Sequence, residues 1–381
     1  MKRILFVLDE LFPVRGAPQV RIRNLFEALP GWERYAVGGR LGEGAAPEGY
    51  MVIERPSERQ PLAFILFLRR LGAMARRVAR RVRPDVVVVS VPKYELLSAA
   101  PGFKASGRTL VLDFRDSLAF LDYGAYLGHF VPRWVAEPLG WIISGVNRWL
   151  QRRAMRSADL ITVANEGIKA TIDHPRVVVV PNGVDTDLFR ADDKRWFDGS
   201  RPLRLVYLGN FAEKDRFEWL AALAGRSDIE VHLIGQGRNR DRVVAALSGV
   251  KTVVHGVVPH DELPGLLKEM DLGFIFRDEG VDQSIPVCLF EFTAMDIPAI
   301  CNATGIMAQF VRDNGIGYVV GDAAEAARVV GEVADQPREL ERFRGLHGVA
   351  ERCFSLRASR EIFQRTIASE SEPVSKVGNG A

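Results

Sequence analysis

The chain has 381 residues, of which 47% are hydrophobic and 26% charged, and a net charge of only +3. That length is too great for one ordinary α/β core and suits two domains, while the composition excludes low-complexity and collagen-like chains. So even a charge balance gives no reason to expect a nucleic-acid partner.

The first elements argue against secretion or membrane spanning. Met1-Lys2-Arg3 is followed by Ile4-Leu5-Phe6-Val7-Leu8, a run too short for a signal peptide and closed by Asp9-Glu10; it reads as a first buried strand. No apolar run reaches the ~18 residues that a membrane span requires. The three cysteines, Cys288, Cys301 and Cys353, are odd in number and lie in the last quarter. They point to reduced thiols in a cytoplasmic protein and away from a disulfide framework.

Short β-rich runs then alternate with helical patterns, the signature of parallel α/β architecture. Strands are expected at residues 3–8, 35–37, 85–91, 109–112, 160–163 and 177–180 in the first half. In the second half they are expected at 204–208, 230–234, 250–255, 272–276, 298–301 and 317–320. The polar segment 185–202, where periodicity fails, is the expected boundary. After Arg338 only helical patterns follow, and from Ser369 the composition is that of a disordered tail.

Two stretches of the first half combine arginine with large apolar residues. Residues 64–83 read as a helix with an apolar start and paired arginines, suited either to an anionic membrane face or to an amphipathic crossover with wet arginines. Residues 118–150 carry Trp134, Trp141 and Trp149, side chains that suit a water–lipid boundary. Peripheral contact with the inner face of an anionic membrane is therefore expected.

In open α/β sheets ligands bind at the carboxyl ends of strands, so the loops there are the candidate sites. Gly16, in Arg15-Gly16-Ala17-Pro18, gives a small-residue approach to a helix N-terminus, suited to a phosphate or serving as a plain turn. Asp113-Phe114-Arg115-Asp116 presents Asp116 or Arg115 at a strand end, where a carboxylate can orient or deprotonate a hydroxyl, or else forms a structural ion-pair cluster. Gly209-Asn210 followed by Lys214 places a cation just before a helix, where cation and helix dipole together can neutralise an anionic group. The loops at Gly235 and Val257 shape a pocket or simply turn the chain. Glu291, flanked by Phe290 and Phe292 after the loop Gln283-Ser284-Ile285-Pro286-Val287, is a two-point acceptor for vicinal hydroxyls, or a solvated helix residue.

The segments Val180-Pro181-Asn182-Gly183-Val184-Asp185 and Ser284-Ile285-Pro286…Phe290-Glu291, in that order and about a hundred residues apart, resemble the retaining nucleotide-sugar transferases of glycosyltransferase family 4. The resemblance spans about residues 2–363. It implies α/β architecture with two Rossmann-like domains facing across a cleft (the GT-B architecture). An acceptor-binding domain would span 1–184 and a donor-binding domain 185–355. A helix over 356–368 would return to the first domain, ahead of the tail 369–381.

It further implies that Glu291 binds the donor ribose and that Ser284, Ile285, Pro286 and Val287 face the phosphates and sugar. Gly16 would touch the donor phosphates, with Gly209, Asn210, Lys214, Gly235, Val257 and Gln283 completing the site. This sequence departs from the family pattern at Gln283 (usually Glu), Asn210 (usually Arg) and Cys288 (often Lys).

The implied activity is hexosyltransferase-like: a sugar moves from a nucleoside-diphosphate donor to a saccharide or lipid-linked hydroxyl, in envelope polysaccharide or glycolipid synthesis. A degenerate GT-B scaffold and a GT-B sugar-nucleotide epimerase are the alternatives. No cofactor or metal is expected, because the six histidines lack ligand spacing and no Cys-x-x-Cys occurs. A Walker loop and a Gly-x-Ser-x-Gly elbow are also missing from the sequence.

Overall fold

The computed structural model describes residues 1–11, 17–40, 49–54, 61–91, 94–104, 106–115, 127–128, 131–212, 214–237, 239–278 and 285–370. The chain divides into two compact units, Met1–Asn182 with Ser359–Ala381, and Gly183–Ala358.

The first unit is built on a parallel sheet of β1 (Arg3–Val7), β2 (Glu33–Arg40), β3 (Tyr50–Glu54), β4 (Val86–Val91), β5 (Thr109–Phe114), β6 (Leu160–Val163) and β7 (Val177–Val179). Its helices are α1 (Ala17–Glu27), α2 (Pro61–Val82), α3 (Tyr94–Lys104), α4 (Arg133–Ser157) and α5 (Glu166–Ala170). The strand order is β3-β2-β1-β4-β5-β6-β7, so the winding direction reverses between β1 and β4. Both faces are covered, and every residue of the β-branched run in β4 is buried.

Alternation along the strands divides the side chains. Leu5, Val7, Val87 and Val89 pack with Phe67, Leu71 and Phe103 of α2 and α3 on one face. Ile4, Phe6, Val86 and Val88 pack with Ile22, Leu25 and Phe26 of α1 on the other.

Strand β3 is the element that the sequence does not announce. It is a five-residue strand at the sheet edge, pairing with β2. In α2 the apolar positions Phe67, Leu68, Leu71, Ala75, Val78 and Ala79 are buried. Its arginines 69, 70, 76, 77, 80 and 81 face solvent. Helix α4 differs. It buries small residues, Ala136, Gly140 and Ala154 among them, and leaves Trp134 at 79% and Trp141 at 82% exposure, with Ile142, Val146 and Trp149 also exposed.

The second unit has its own parallel sheet: β8 (Leu203–Leu208), β9 (Ile229–Ile234), β10 (Thr252–Gly256), β11 (Leu272–Ile275), β12 (Ala299–Asn302) and β13 (Gly317–Val320). The order is β10-β9-β8-β11-β12-β13, reversing between β8 and β11. Helices α6 (Arg240–Ala246), α7 (Leu263–Leu267), α8 (Val287–Ala294), α9 (Gly305–Asn314), α10 (Ala323–Asp335) and α11 (Leu346–Phe354) accompany it, with 3-10 turns at Phe217–Leu223 and Pro337–Phe343.

The polar segment 185–202 is no linker. It folds onto the second unit, burying Phe189, Phe197 and Lys194, and the division of the chain falls before it, between Asn182 and Gly183. Its hydrophobic anchors are too widely spaced to register as periodicity.

Asn182 and Gly183 are both absent from the positive-φ residues, so the turn does not exploit left-handed backbone. Gly183 is needed for a close approach: a Cβ there would sit 2.8 Å from Leu356 N and 2.9 Å from the Ser355 carbonyl carbon. Val184 N donates to Phe354 O (3.0 Å) and Leu356 N to Val184 O (2.9 Å), so two chain segments run side by side here. The last helix, α12 (Leu356–Glu370), then joins the first unit from Ser359 onward. Ser359 Oγ donates to Pro181 O (2.8 Å), and Phe363 is fully buried beside Phe6. The helix continues through Glu370, two residues into the expected tail; the rest of that tail lies outside the described residues.

Candidate functional site

The strand-end loops of the second unit converge where its winding reverses. The loop after β8 is fastened on both sides. Gly209 N donates to Ile234 O (3.0 Å) and Phe211 N to Gln236 O (3.2 Å), tying it to the loop after β9. Arg216 N donates to Phe276 O (2.9 Å) and Asp278 N to Lys214 O (2.9 Å), tying it to the segment after β11. Gly235 has φ +128°, and a Cβ on it would lie 1.9 Å from Gly209 O, so this glycine lets two loops touch.

Beneath the loop, the Tyr207 hydroxyl donates to Asp215 Oδ2 (2.7 Å) and lies 2.7 Å from the Asn210 carbonyl. Burial, reinforced by Asp215, raises the Tyr207 pKa far above its ordinary value. Asn302 brackets the next loop, accepting from Arg277 N (3.0 Å) and donating to Arg277 O (2.9 Å). This scaffold holds Lys214 half-buried and Asn210 exposed at the surface of the loop. Val257, just past β10, is 63% exposed.

Helix α8 follows β11. Pro286 is its N-cap and makes no side-chain cap bond, and the first turn holds no carboxylate. The amides of Val287 and Cys288 precede the first bond inside the helix, from Leu289 N to Pro286 O (3.1 Å). Such a helix start favours anions. Ile285 packs against the core edge.

Glu291 is 6% exposed between buried Phe290 and Phe292. Its Oε1 lies 3.1 Å from Nε2 of His260, in the loop between β10 and α7. The hydrogen bond to Glu291, aided by the charges of Glu291, Asp185 and Asp261, raises the His260 pKa above its ordinary value against partial desolvation. Burial, then the nearby Glu291 charge, pushes the Cys288 thiol up to about 12. Cys288 is therefore a neutral thiol at neutral pH.

The far end of α8 is gripped by a buried amine. Lys194 Nζ donates to Met295 O (3.0 Å) and Asp296 O (2.8 Å), capping helix carbonyls. Desolvation lowers its pKa from 10.5 to about 7, opposed by Asp271 and Asp296. His347 adds to the clamp, with Nδ1 2.8 Å from Ala294 O and its backbone N donating to Asp296 Oδ1 (2.6 Å).

The strand ends of the first unit are occupied differently. Arg115 donates to Asp9 Oδ1 (2.7 Å), and both side chains are nearly buried. Asp113 belongs to Arg21 of α1, whose Nη2 donates to it at 2.7 Å, and it also accepts from Thr162 Oγ1 (2.7 Å). Arg21 reaches on to Val180 O (2.6 Å) and Asn182 Oδ1 (3.2 Å), so the Pro-Asn-Gly turn is held by a buried cation. Among the sequence candidates, Gly16, Asp116, Gln283 and Ser284 lie outside the described residues. Gly209, Asn210, Lys214, Gly235, Val257, Ile285, Pro286, Val287 and Glu291 all fall on strand-end loops or α8 of one unit.

His260 and Lys194 escape the sequence reading. Histidines there are weighed only for metal spacing, and Lys194 sits in a segment that looks solvated. A proline–histidine pair just past a strand end is the one local sign of His260. Among the described residues no group of three His, Cys, Asp or Glu side chains is placed to hold a metal.

Two family models match the chain in tandem. Glycosyltransferase Family 4 matches residues 31–188, and Glycosyl transferases group 1 matches residues 202–336. No curated protein matches. Sucrose-phosphate synthase from Thermosynechococcus elongatus superposes with a TM-score of 0.73 at 14% identity, covering 97% of this chain and 100% of that one. Anabaena HepE in complex with UDP gives 0.69 at 15%, covering 97% and 100%. WaaG, a glycosyltransferase involved in lipopolysaccharide biosynthesis, gives 0.64 at 14%, covering 96% and 99%. At such identities the structures establish the shared fold; the tandem family matches make the chain a glycosyltransferase.

Proposed function

We propose that this glycosyltransferase of GT-B architecture moves a sugar from a nucleoside-diphosphate-sugar to a hydroxyl acceptor, with retention at the anomeric carbon. The observation that carries the reading is Glu291, a buried carboxylate on the helix that starts beside the winding reversal of the second sheet. A carboxylate so placed accepts two hydrogen bonds from ribose hydroxyls. Solved HepE complexes with UDP and UDP-glucose show that a protein of this fold takes such ligands.

In this reading the donor diphosphate lies against the start of α8 and Lys214. The acceptor oxygen bonds to the anomeric carbon on the face from which the diphosphate departs. The C–O bond to phosphate breaks, and the leaving phosphate oxygen takes the acceptor's proton. Lys214 and the Val287 and Cys288 amides stabilise the growing charge. Gln283 and Ser284 contact the sugar and phosphates, and Val257 covers the base. Asp116 orients the acceptor hydroxyl, while Arg115 is committed to Asp9. No metal enters. Turnover across a panel of nucleotide-sugars, with NMR reading of the product anomer, tests the proposal; no hydrolysis of any donor, or an inverted product, would refute it.

The acceptor belongs to envelope polysaccharide or glycolipid synthesis, and the enzyme works on the cytoplasmic face of an anionic membrane. Support comes from α4, whose exposed tryptophans share their helix with the exposed Arg148, Arg152, Arg153 and Arg156. Helix α3 packs against both α2 and α4, so α2, with its exposed arginines, lies in the same helical layer. Aromatic side chains beside cations match an anionic interface. The protein should co-sediment with phosphatidylglycerol vesicles, and Ser replacing Trp134, Trp141 and Trp149 together should lower that binding severalfold. Equal sedimentation of the triple variant would remove this part of the reading.

A further inference from the structure

The donor carboxylate does not stand alone, and its partner comes from a different loop. His260 follows β10, whereas Glu291 rides on α8. The 3.1 Å contact joins the two, and among the described residues His260 is the hydrogen-bond donor to that carboxylate. The imidazole is placed by packing as well. The ring of Phe189, fully buried, lies 5.1 Å from it between centroids. Phe189 is set by the turn at Asp185, whose Oδ1 accepts from Asp187 N (3.1 Å) and Leu188 N (3.2 Å) while Phe189 N donates to Asp185 O (2.8 Å). The Val-Asp end of the Pro-Asn-Gly motif thus builds the wall against which His260 rests.

We propose that His260 is a positioning residue of the donor site: it fixes the Glu291 carboxylate for the ribose and offsets the negative charge that a nucleoside diphosphate meets there. The inference rests on the donor-site reading above. Three carboxylates, Glu291 on α8, Asp185 in the turn before Phe189 and Asp261 next to His260 in sequence, act on the imidazole. Cys288, also on α8, remains a neutral thiol. When His260 loses its proton, nothing in this group offsets the carboxylates, and a dianionic diphosphate is repelled. Below its ionisation the imidazolium both donates to Glu291 and screens it; above, only the neutral hydrogen bond survives. Donor affinity therefore falls as pH rises through the His260 pKa, which is held above 6.5.

The test is calorimetric titration of UDP, GDP and ADP into the full chain from pH 6 to 9, using whichever nucleotide binds. Wild type should lose affinity about 5–10-fold across one ionisation above 6.5, the expected loss of a charge-assisted contact. His260→Gln, which keeps a hydrogen-bond donor, should bind as wild type does at high pH and show no such step. His260→Ala should bind about 10-fold more weakly at pH 6.5. A merely structural histidine would lower Tm without altering the pH profile. If wild type binds and His260→Gln keeps the step, or His260→Ala binds within twofold, the inference fails while the donor-site reading survives. If wild type binds no nucleotide, both fall.

Discussion

The two units share one architecture and use their strand ends in opposite ways. In the first, the described polar groups at the carboxyl ends of β1 and β5 are spent on one another, Arg115 on Asp9 and Arg21 on Asp113 and the Pro-Asn-Gly turn. In the second, the buried polar contacts lie one layer down, at Tyr207, Asp215 and Asn302, beneath a loop that leaves Asn210 exposed and Lys214 half-buried. A parallel sheet delivers side chains to the same edge in both cases; whether they become ligand contacts depends on whether a partner is already within reach.

The comparison breaks first at Arg21. Its side chain is 2% exposed and its partner Asp113 fully buried. Arg21→Ala should cost about 3–5 kcal/mol, because it strands a buried carboxylate. A urea midpoint reads this directly, and a loss below about 1 kcal/mol would mean that the pair is not the keystone of that sheet edge. Lys214→Ala should act the other way round. Stability should barely move, while kcat falls about 100-fold if this cation stabilises the leaving diphosphate; an unchanged kcat would assign the charge elsewhere.

Smaller and slower in pH is the effect of Lys194. The folded protein releases this proton near pH 7, whereas the unfolded chain keeps it to about 10.5. Between those values the unfolded state binds more protons, so stability rises with pH across the window. Below pH 7 both states are protonated and the burial penalty is present in full. Lys194→Met should flatten that rise, so that wild type gains on the variant from pH 7 to 9.5. Parallel stability curves would show that the amine is charged at both ends.

The alternation of strands and helices was readable because buried parallel strands are dense in Val, Ile and Leu, as in residues 86–91. The burial of Glu291 was readable for a related reason: a carboxylate between two phenylalanines in an apolar helix has little chance of full hydration. The edge strand β3 was not, since its five residues are too short a run to show a period and its pairing with β2 is invisible in sequence. The need for glycine at 183 was not readable either, because close approach to Leu356 depends on a segment far along the chain. The Arg21–Asp113 pair, 92 residues apart, and the His260–Glu291 pair, 31 apart, have the same obstacle. Single side chains disclose their chemistry in sequence; partnerships across a fold do not.

The central claim is that Glu291 grips the nucleotide of the donor. Calorimetric Kd for the best-binding nucleoside diphosphate, compared between wild type and a Glu291→Ala protein of unchanged fold by circular dichroism, addresses it most directly. Loss of hydrogen bonds to a charged acceptor predicts a weakening of about 10–100-fold. Equal dissociation constants for the two proteins would contradict it.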